Sequence, residues 1–538
     1  MQIDDQFHTL YPHGSSHLGT EAHARQLSQG KGCIAKMGET IIRFRAEEPT
    51  IIFGGAGSGK MANIGGYTLA HPSIDSVFML DMGAQYMSTS WHYQLKAGRT
   101  AYAINPEGAG AYPDINHPVH LWGVLKNDTY LFDNAKRIAA MALIEIKGDN
   151  SWVYTGAMRW LTRLLISLVC LEGRVTPMRL WALLNRMDSD DEFLKEWGRQ
   201  TEELPYDVYS CMVEIYSKKH TSEKEYGAIM GKLKDDLDWL SSPAIAESIS
   251  GEEDYLAYLA DPSKKVAVYY ALKGGSGKHM KSLTRMVVGI AMLHCIRAGL
   301  GARPLFYLEE AATCGKAEFI KQAVSECRKY FHTILVYQSR GQLEGIFGKG
   351  GKTEILESCG QHIYLGGGIR DVVSAKEIAE ALGKATIYVN DPMKQAEQAS
   401  KALIAMQHAT WEGGNPIVAA ETYDFHMSQS RQQQQAGRYL IDPAELMRLK
   451  QQVLILTPSL GLPPLLADKL PPYWENPMMA GRFAPDPLFP PLNRVTIRKA
   501  NGRTAKRRVI RKKVPRHLAH LPNHSAGYIA YVDGYKTW

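Results

Sequence analysis

Residues 54 to 61 read Gly-Gly-Ala-Gly-Ser-Gly-Lys-Met directly after the apolar run Thr50-Ile-Ile-Phe53, and this junction constrains the chain more than any other stretch. A buried strand that runs into a glycine-rich loop and then a helix brings backbone N–H groups to one point. The helix start adds its positive end, and Lys60 adds an ammonium that reaches the β- and γ-phosphates of a nucleotide. Gly54, Gly55, Ala56, Gly57, Ser58, Gly59, Lys60 and Met61 are therefore the candidate phosphate-binding residues, with ATP and Mg2+ as the implied cofactors. Met61 departs from the pattern, because a Ser or Thr hydroxyl at that position would ligate magnesium and a thioether does not. The competing interpretation is a glycine-rich turn without a ligand.

Two further glycine-lysine stretches lack the full motif. Lys273 to Lys278 has Leu272 where the first glycine belongs, and Gly350-Gly351-Lys352-Thr353 has Ile346 there. Both are read as connecting loops. A nucleotide-hydrolysing site also needs acid at a strand end, and Pro304–Leu308 runs into Glu309-Glu310. Glu309 stands where an Asp usually holds magnesium, and Glu310 where a general base would sit. The alternative for both is a solvated helix start, where the dipole favours Glu. The strand Thr333–Tyr337 ends at Gln338, whose amide can sense a γ-phosphate or orient water.

Strand-like runs at Thr50–Phe53, Val77–Leu80, Ala101–Asn105, Val266–Leu272, Pro304–Leu308, Thr333–Tyr337 and His362–Leu365 alternate with helical patterns, which implies an α/β fold with a mostly parallel sheet covered on both faces. Between about Asp133 and Leu256 the apolar period is helical throughout, as in an all-helical insertion. Trp152, Trp160 and Trp181 lie in that region and are read as core residues. Met427–Arg438 (MSQSRQQQQAGR) is polar and low in complexity, so it is read as a flexible linker or loop.

Seven scattered cysteines without a C-x-x-C pair indicate neither a disulfide framework nor a zinc site and fit a reducing compartment. No apolar run is long enough to span a membrane, so the expected location is the cytoplasm, with peripheral contact at the inner face of the membrane. Of the net charge of +7, the segment from Arg494 to Trp538 contributes +11, leaving a body of −4. Arg503, Lys506, Arg507, Arg508, Arg511, Lys512 and Lys513 make this segment the candidate polyanion site, for nucleic acid, anionic lipid or an acidic partner. A solvated tail without a ligand is the alternative.

Taken in order, GSSHLGTEAHARQL, FGGAGSGK, VFMLD, the long segment from Tyr307 through Gly348, ILESCGQHIYLGGG and GRYLIDPAELMRL are similar to the coupling ATPases of type IV secretion and conjugation, the TraG class, over most of residues 14 to 475. The resemblance implies a RecA-like nucleotide-binding domain, discontinuous over 39–118 and 262–475. It also implies an all-alpha domain at 119–261, flanked by an N-terminal arm, 1–38, and a basic C-terminal tail, 476–538. It implies a ring of six subunits that brings relaxase-bound single-stranded DNA or an effector protein to the channel subunits of a secretion system. Gly54, Gly57, Gly59 and Lys60 would then form the phosphate loop, Glu309 and Glu310 the magnesium-holding and water-activating acids, and Gln338 the strand-end sensor.

The departures from the family shape the expectation. Members usually carry transmembrane helices ahead of the ATPase; this sequence shows none, so a partner or the basic tail is expected to provide membrane recruitment. After the second strand the chain reads Asp81-Met-Gly-Ala-Gln85 in place of Asp-Pro-Lys-Gly-Glu. Together with Met61 and Glu309, this predicts a subunit that binds ATP but hydrolyses it slowly by itself. Two other functions stay open: a nucleotide-binding adaptor with little hydrolysis, and a RecA-like DNA translocase acting within the cell. Arg340 and Arg370 are candidate arginine fingers by position alone.

Overall fold

The apolar strands are held in one large sheet in the computed structural model, which describes residues 13–71, 74–146, 148–275, 278–389, 391–411, 413, 415–430, 434–489, 491–499, 501–521 and 527–535. Its strands are β1 (Lys31–Met37), β2 (Thr40–Phe44), β3 (Thr50–Phe53), β4 (Val77–Met82), β5 (Thr100–Ile104), β6 (Val266–Leu272), β7 (Leu305–Leu308), β8 (His332–Tyr337), β9 (Gln361–Leu365), β10 (Lys384–Val389), β11 (Gln434–Tyr439), β12 (Gln452–Leu456), β13 (Leu465–Lys469), β14 (Arg494–Arg498), β15 (Thr504–Lys513) and β16 (Tyr528–Val532). Eleven of them form the main sheet in the order β2-β1-β13-β12-β9-β3-β8-β7-β4-β6-β5. The run from β9 to β5 is parallel throughout. The four strands from β2 to β12 are antiparallel to their neighbours and close one edge.

Side-chain alternation splits the core into two layers. On β4, Phe78 and Leu80 face one layer with Val268 and Tyr270 of β6 and Phe306 and Leu308 of β7. Val77 and Met79 face the other with Tyr269 and Tyr307. Strands apolar on both sides are what a parallel sheet covered by helices requires, and each fully buried aliphatic side chain in it contributes about 1.5–3 kcal/mol. The helices Leu131–Ala142, Lys278–Ala298, Glu318–Ser325, Arg340–Ser358 and Val372–Leu382 carry or adjoin the first layer; Gln85–Lys96 and the short helix from Lys60 carry the second.

The insertion between β5 and β6 is built of helices from Leu131 to Ile249. Their starts follow from capping: Thr176 accepts from the Arg179 N–H with Pro177 at the first helical position, and Asp190 accepts from the Phe193 N–H. Trp160 is fully buried here and Trp181 half-buried, whereas Trp152 is 44% exposed.

Four sequence expectations need correction. Residues 31–37 of the supposed arm are strand β1 of the main sheet, zipped to β2 and β13, so a boundary at residue 38 cuts a hairpin. The supposed loop at 427–438 is, where described, the end of the helix Pro416–Ser430 and strand β11 paired with β10; polar side chains suit both because the helix bonds its own backbone and β10 satisfies that of β11. Gly350–Thr353 lies inside the helix Arg340–Ser358. The basic segment is no tail: β14, β15 and β16 form a separate antiparallel sheet over a small core of Ala480, Val495, Ile497, Val509 and Val532. In the stretch from Lys273 to Lys278, Ser276 and Gly277 lie outside the described residues.

Candidate nucleotide-binding site

Parallel register brings the C-terminal ends of β3, β8, β7 and β4 side by side, with Phe53 opposite Tyr337 and Leu308 opposite both Leu335 and Leu80. The residues that follow these ends, Gly54, Gln338, Glu309 and Asp81, therefore meet along one edge of the sheet. In an open α/β sheet that edge is where ligands bind.

The loop after β3 starts with the Gly54 N–H bonded to the Tyr337 carbonyl at 3.0 Å. Its glycines are required at definite points. Gly59 has φ +91°, and a Cβ there would stand 1.8 Å from Asn63 Oδ1. At Gly54 a Cβ would meet Ser58 Oγ at 2.6 Å. Ala56 and Gly57 are exposed at the mouth of the loop while Ser58 is buried. The chain then enters a π-helical turn, Lys60–Gly65, continued by Gly66–Leu69. Lys60 Nζ donates to the Gly54 carbonyl at 2.9 Å and the Gly55 carbonyl at 3.5 Å, folding its ammonium over the loop. Met61 packs half-buried against the second core layer.

Two cations unforeseen in these roles hold the loop from outside. Lys469, the last residue of β13, donates to the Ser58 carbonyl at 2.8 Å and the Gly366 carbonyl at 2.7 Å. Arg370 donates to the Ala56 carbonyl at 2.7 Å and the Gly367 carbonyl at 3.1 Å. The Gly366–Gly368 segment approaches so closely that a Cβ on Gly368 would lie 2.8 Å from Gly54 Cα. Arg340 is elsewhere: its guanidinium pairs with Glu377 at 2.9 Å and donates to the Tyr364 hydroxyl at 3.3 Å. Of the two arginines singled out by position, Arg370 touches the loop and Arg340 serves an internal ion-pair cluster.

The acids form two distinct arrangements. Asp81 is buried and accepts from the N–H groups of Tyr86 (3.2 Å) and Met87 (2.7 Å) at the start of the helix Gln85–Lys96. Burial pushes its carboxyl up to about 7 despite those bonds. Glu309 is raised to about 8 by burial and by the charges of Asp81 and Glu310, against an opposing pull from Lys60. Its Oε2 is buried without a hydrogen-bond partner among the described residues, as is Ser58 Oγ. Glu310 sits in the left-handed region, φ 57°, an uncommon conformation for a non-glycine residue and one that turns its carboxylate toward β8. There it accepts from Gln338 Nε2 at 3.1 Å and from Gln342 Nε2 at 2.6 Å. Gln342 also accepts from the Gln338 N–H at 2.8 Å. Gln342 had no signal in the sequence beyond its place one helical turn after a strand-end glutamine.

Orphaned Ser58 Oγ and Glu309 Oε2, an ammonium resting on carbonyls and a glutamate whose burial and acidic neighbours disfavour its charge are groups that a phosphate with a bound cation would satisfy. Among the described residues no cluster of three or more His, Cys, Asp or Glu is arranged to cage a metal. That suits magnesium held mainly by phosphates and water, with one or two carboxylates. The cations named from the sequence as a polyanion site, Arg503 to Lys513, lie on or next to β15 in the separate small sheet.

The model of a family described as "Type IV secretory system Conjugative DNA transfer" matches residues 20–488. The chain is 26% identical over 270 residues to the type IV secretion system-coupling protein VirD4 of Bartonella henselae, covering 48% of this chain and 41% of that protein. It is 24% identical over 368 residues to VirD4 of Bartonella quintana, covering 65% and 52%. The chain thus spans about half the length of the curated relatives it matches. Among solved structures it resembles the bacterial conjugative coupling protein TrwBdeltaN70 with a TM-score of 0.57 at 14% identity, over 84% of this chain and 92% of that one. TrwB in complex with ADP and Mg2+ gives 0.54 at 13% identity, over 84% and 93%. At that identity the likeness is one of fold, an α/β architecture around a large, mostly parallel sheet. No helix among the described residues is long and apolar enough to cross a membrane. With the family model spanning most of its length, the chain belongs to the type IV secretory system conjugative DNA transfer family.

Proposed function

We propose that the protein is an ATP-dependent coupling protein, which brings a DNA–relaxase complex or a protein substrate to a type IV secretion channel and drives its transfer as a ring of six subunits. The observation that carries this reading is the meeting of the Gly54–Lys60 loop, Glu309, Glu310 and Gln338 on one sheet edge. It is supported by the family match and by TrwB structures that hold ADP with Mg2+. The helical insertion is the substrate-receiving domain. A separate membrane-bound partner recruits the protein to the cytoplasmic face.

In this reading the amides of residues 57–60 bind the phosphates, and Lys60 exchanges the Gly54 carbonyl for phosphate oxygen. Glu309 is the residue to hold magnesium, which when bound neutralises phosphate charge. Glu310 orients the attacking water and takes its proton; Gln338 and Gln342 hold its two oxygens and keep the carboxylate aimed. The missing hydroxyl at Met61 and the longer Glu309 side chain make turnover by the isolated subunit slow, since displacement of about 1 Å can cost about a hundredfold.

The test is ATP binding and turnover in the full chain with magnesium, with and without single-stranded DNA, using Lys60→Ala as control. Binding lost in the control, with slow turnover that rises on assembly, is the expected result. Nucleotide binding that survives Lys60→Ala unchanged would remove the site; binding without turnover in any assembly would leave an adaptor.

A further inference from the structure

The family match ends at residue 488, and the small sheet of β14, β15 and β16 lies beyond it. Val495, Ile497, Val509 and Val532 point into its own core. Strand alternation turns their neighbours the other way. Arg494, Thr496 and Arg498 of β14 share the outer face with Thr504, Lys506, Arg508, Ile510 and Lys512 of β15, and register adds Ile529 and Tyr531 of β16. None of these strand positions is Asp or Glu; the carboxylates nearest the face are Asp533, just past β16, whose N–H donates to the Arg508 carbonyl at 2.8 Å, and Glu475, which pairs with Arg498.

The cations of the segment therefore fall into two groups. Arg511 is tied down, donating to the Leu492 carbonyl at 3.1 Å, and Arg498 pairs with Glu475 at 2.9 Å. Arg494, Lys506, Arg508 and Lys512 are exposed and make no ion pair among the described residues. Arg494 stands directly opposite Arg508. Like charges across a strand pair, with Cβ atoms about 5 Å apart, destabilise a sheet until an anion lies between them.

We infer that this outer face binds the sugar-phosphate backbone of single-stranded nucleic acid. Alternate residues on β15 repeat at about 6.8 Å, a ladder of cations along which an extended strand can lie. A lipid surface fits less well: peripheral binding needs apolar side chains that sink about 5–10 Å below the headgroups, and Ile510 and Ile529 lie flush in a sheet. The inference goes beyond the coupling reading and stands without it, because it uses none of the nucleotide-site residues.

The test follows a fluorescent oligothymidylate by anisotropy across a salt series, with the full chain and the variant R494Q/K506Q/R508Q/K512Q. Four lost phosphate contacts at about 0.7 each should flatten the log–log salt slope by about 3. Between 50 and 200 mM salt the unmodified chain should then lose roughly fifty-fold more affinity than the variant. ATP-analogue binding should not change, and thermal unfolding should show that the variant folds. A charge-matched control outside the helical insertion, K96Q/K349Q/K376Q/K450Q, should keep the original slope. An unchanged slope in the face variant, or an equal loss in the control, overturns the inference. So does equally tight binding of a duplex, or a variant that keeps DNA binding while losing phosphatidylserine vesicles.

Discussion

Gly54–Lys60 and Gly350–Thr353 both carry glycine directly before lysine, yet one is an open loop at a strand end and the other a stretch of helix. The loop follows a strand whose end is pinned between β8 and β9, and it needs positive φ at Gly57 and Gly59. In the second stretch positive φ is confined to Gly348, at a kink, and helical geometry resumes before Lys352. The lysines differ accordingly. Lys60 rests on backbone carbonyls that a stronger acceptor can replace. Lys352 is buried, pairs with Glu377 at 3.0 Å and also with Glu344, and has no acceptor to exchange. A glycine-lysine pattern forms an open loop of this kind only where the strand ahead of it fixes the exit direction.

The sharpest way to break this comparison is to remove each lysine. Lys60→Ala should weaken ATP-analogue binding about a hundredfold, the worth of a charge-assisted contact, with little change in unfolding temperature. Lys352→Ala should leave nucleotide affinity intact and cost about 1–3 kcal/mol of stability, since its carboxylate partners are partly exposed. Titration calorimetry and thermal unfolding of both variants read out the pair, and reversed results would dissolve the distinction.

The glycines come next. Gly59→Ala forces a left-handed alanine against Asn63 and should destabilise the loop by about 2 kcal/mol. Gly350→Ala enters open space on a helix and should stabilise by about 0.5–1 kcal/mol. The sign of each shift in a denaturant titration decides the matter.

A smaller effect comes from pH. Asp81 and Glu309 are both raised, to about 7 and about 8, so well below their unfolded values of 3.8 and 4.5 they are neutral in folded and unfolded chains alike and cost nothing. As pH climbs toward 8 the unfolded chain releases protons that the folded one keeps, and stability falls. Glu309→Gln should therefore gain about 2–4 °C in unfolding temperature over the unmodified chain at pH 8 and less at pH 5. A gain equal at both values would show that Glu309 ionises freely in the folded protein.

The parallel strands were legible because both their faces are buried: Thr50–Phe53 and Val266–Leu272 are apolar runs with sharp ends, and their bounds match the structure. The meeting of Gly54, Glu309 and Gln338 followed from strand ends alone. Strands with a single buried face were opaque. On β15 the apolar residues Val509 and Ile510 are flanked by cations, which masks alternation as a charge run. Lys469 and Gln342 were missed for another reason: the contacts are set by tertiary register, and nothing local marks a lysine four hundred residues along the chain as a support for the loop.

The stretch after β13 has a mechanical meaning of its own. Asn63 and Tyr67, on the helix behind the glycine loop, grip the carbonyls of Leu470 and Pro471, and Asn476 reaches back to the Tyr67 hydroxyl. A few residues further, Glu475 and Ala480 carry β14. The candidate nucleotide edge and the outlying cationic plate are thus bolted to opposite ends of one short connecting rod, so that any shift of the helix behind the glycine loop has a direct route to the plate that we assign to single-stranded nucleic acid.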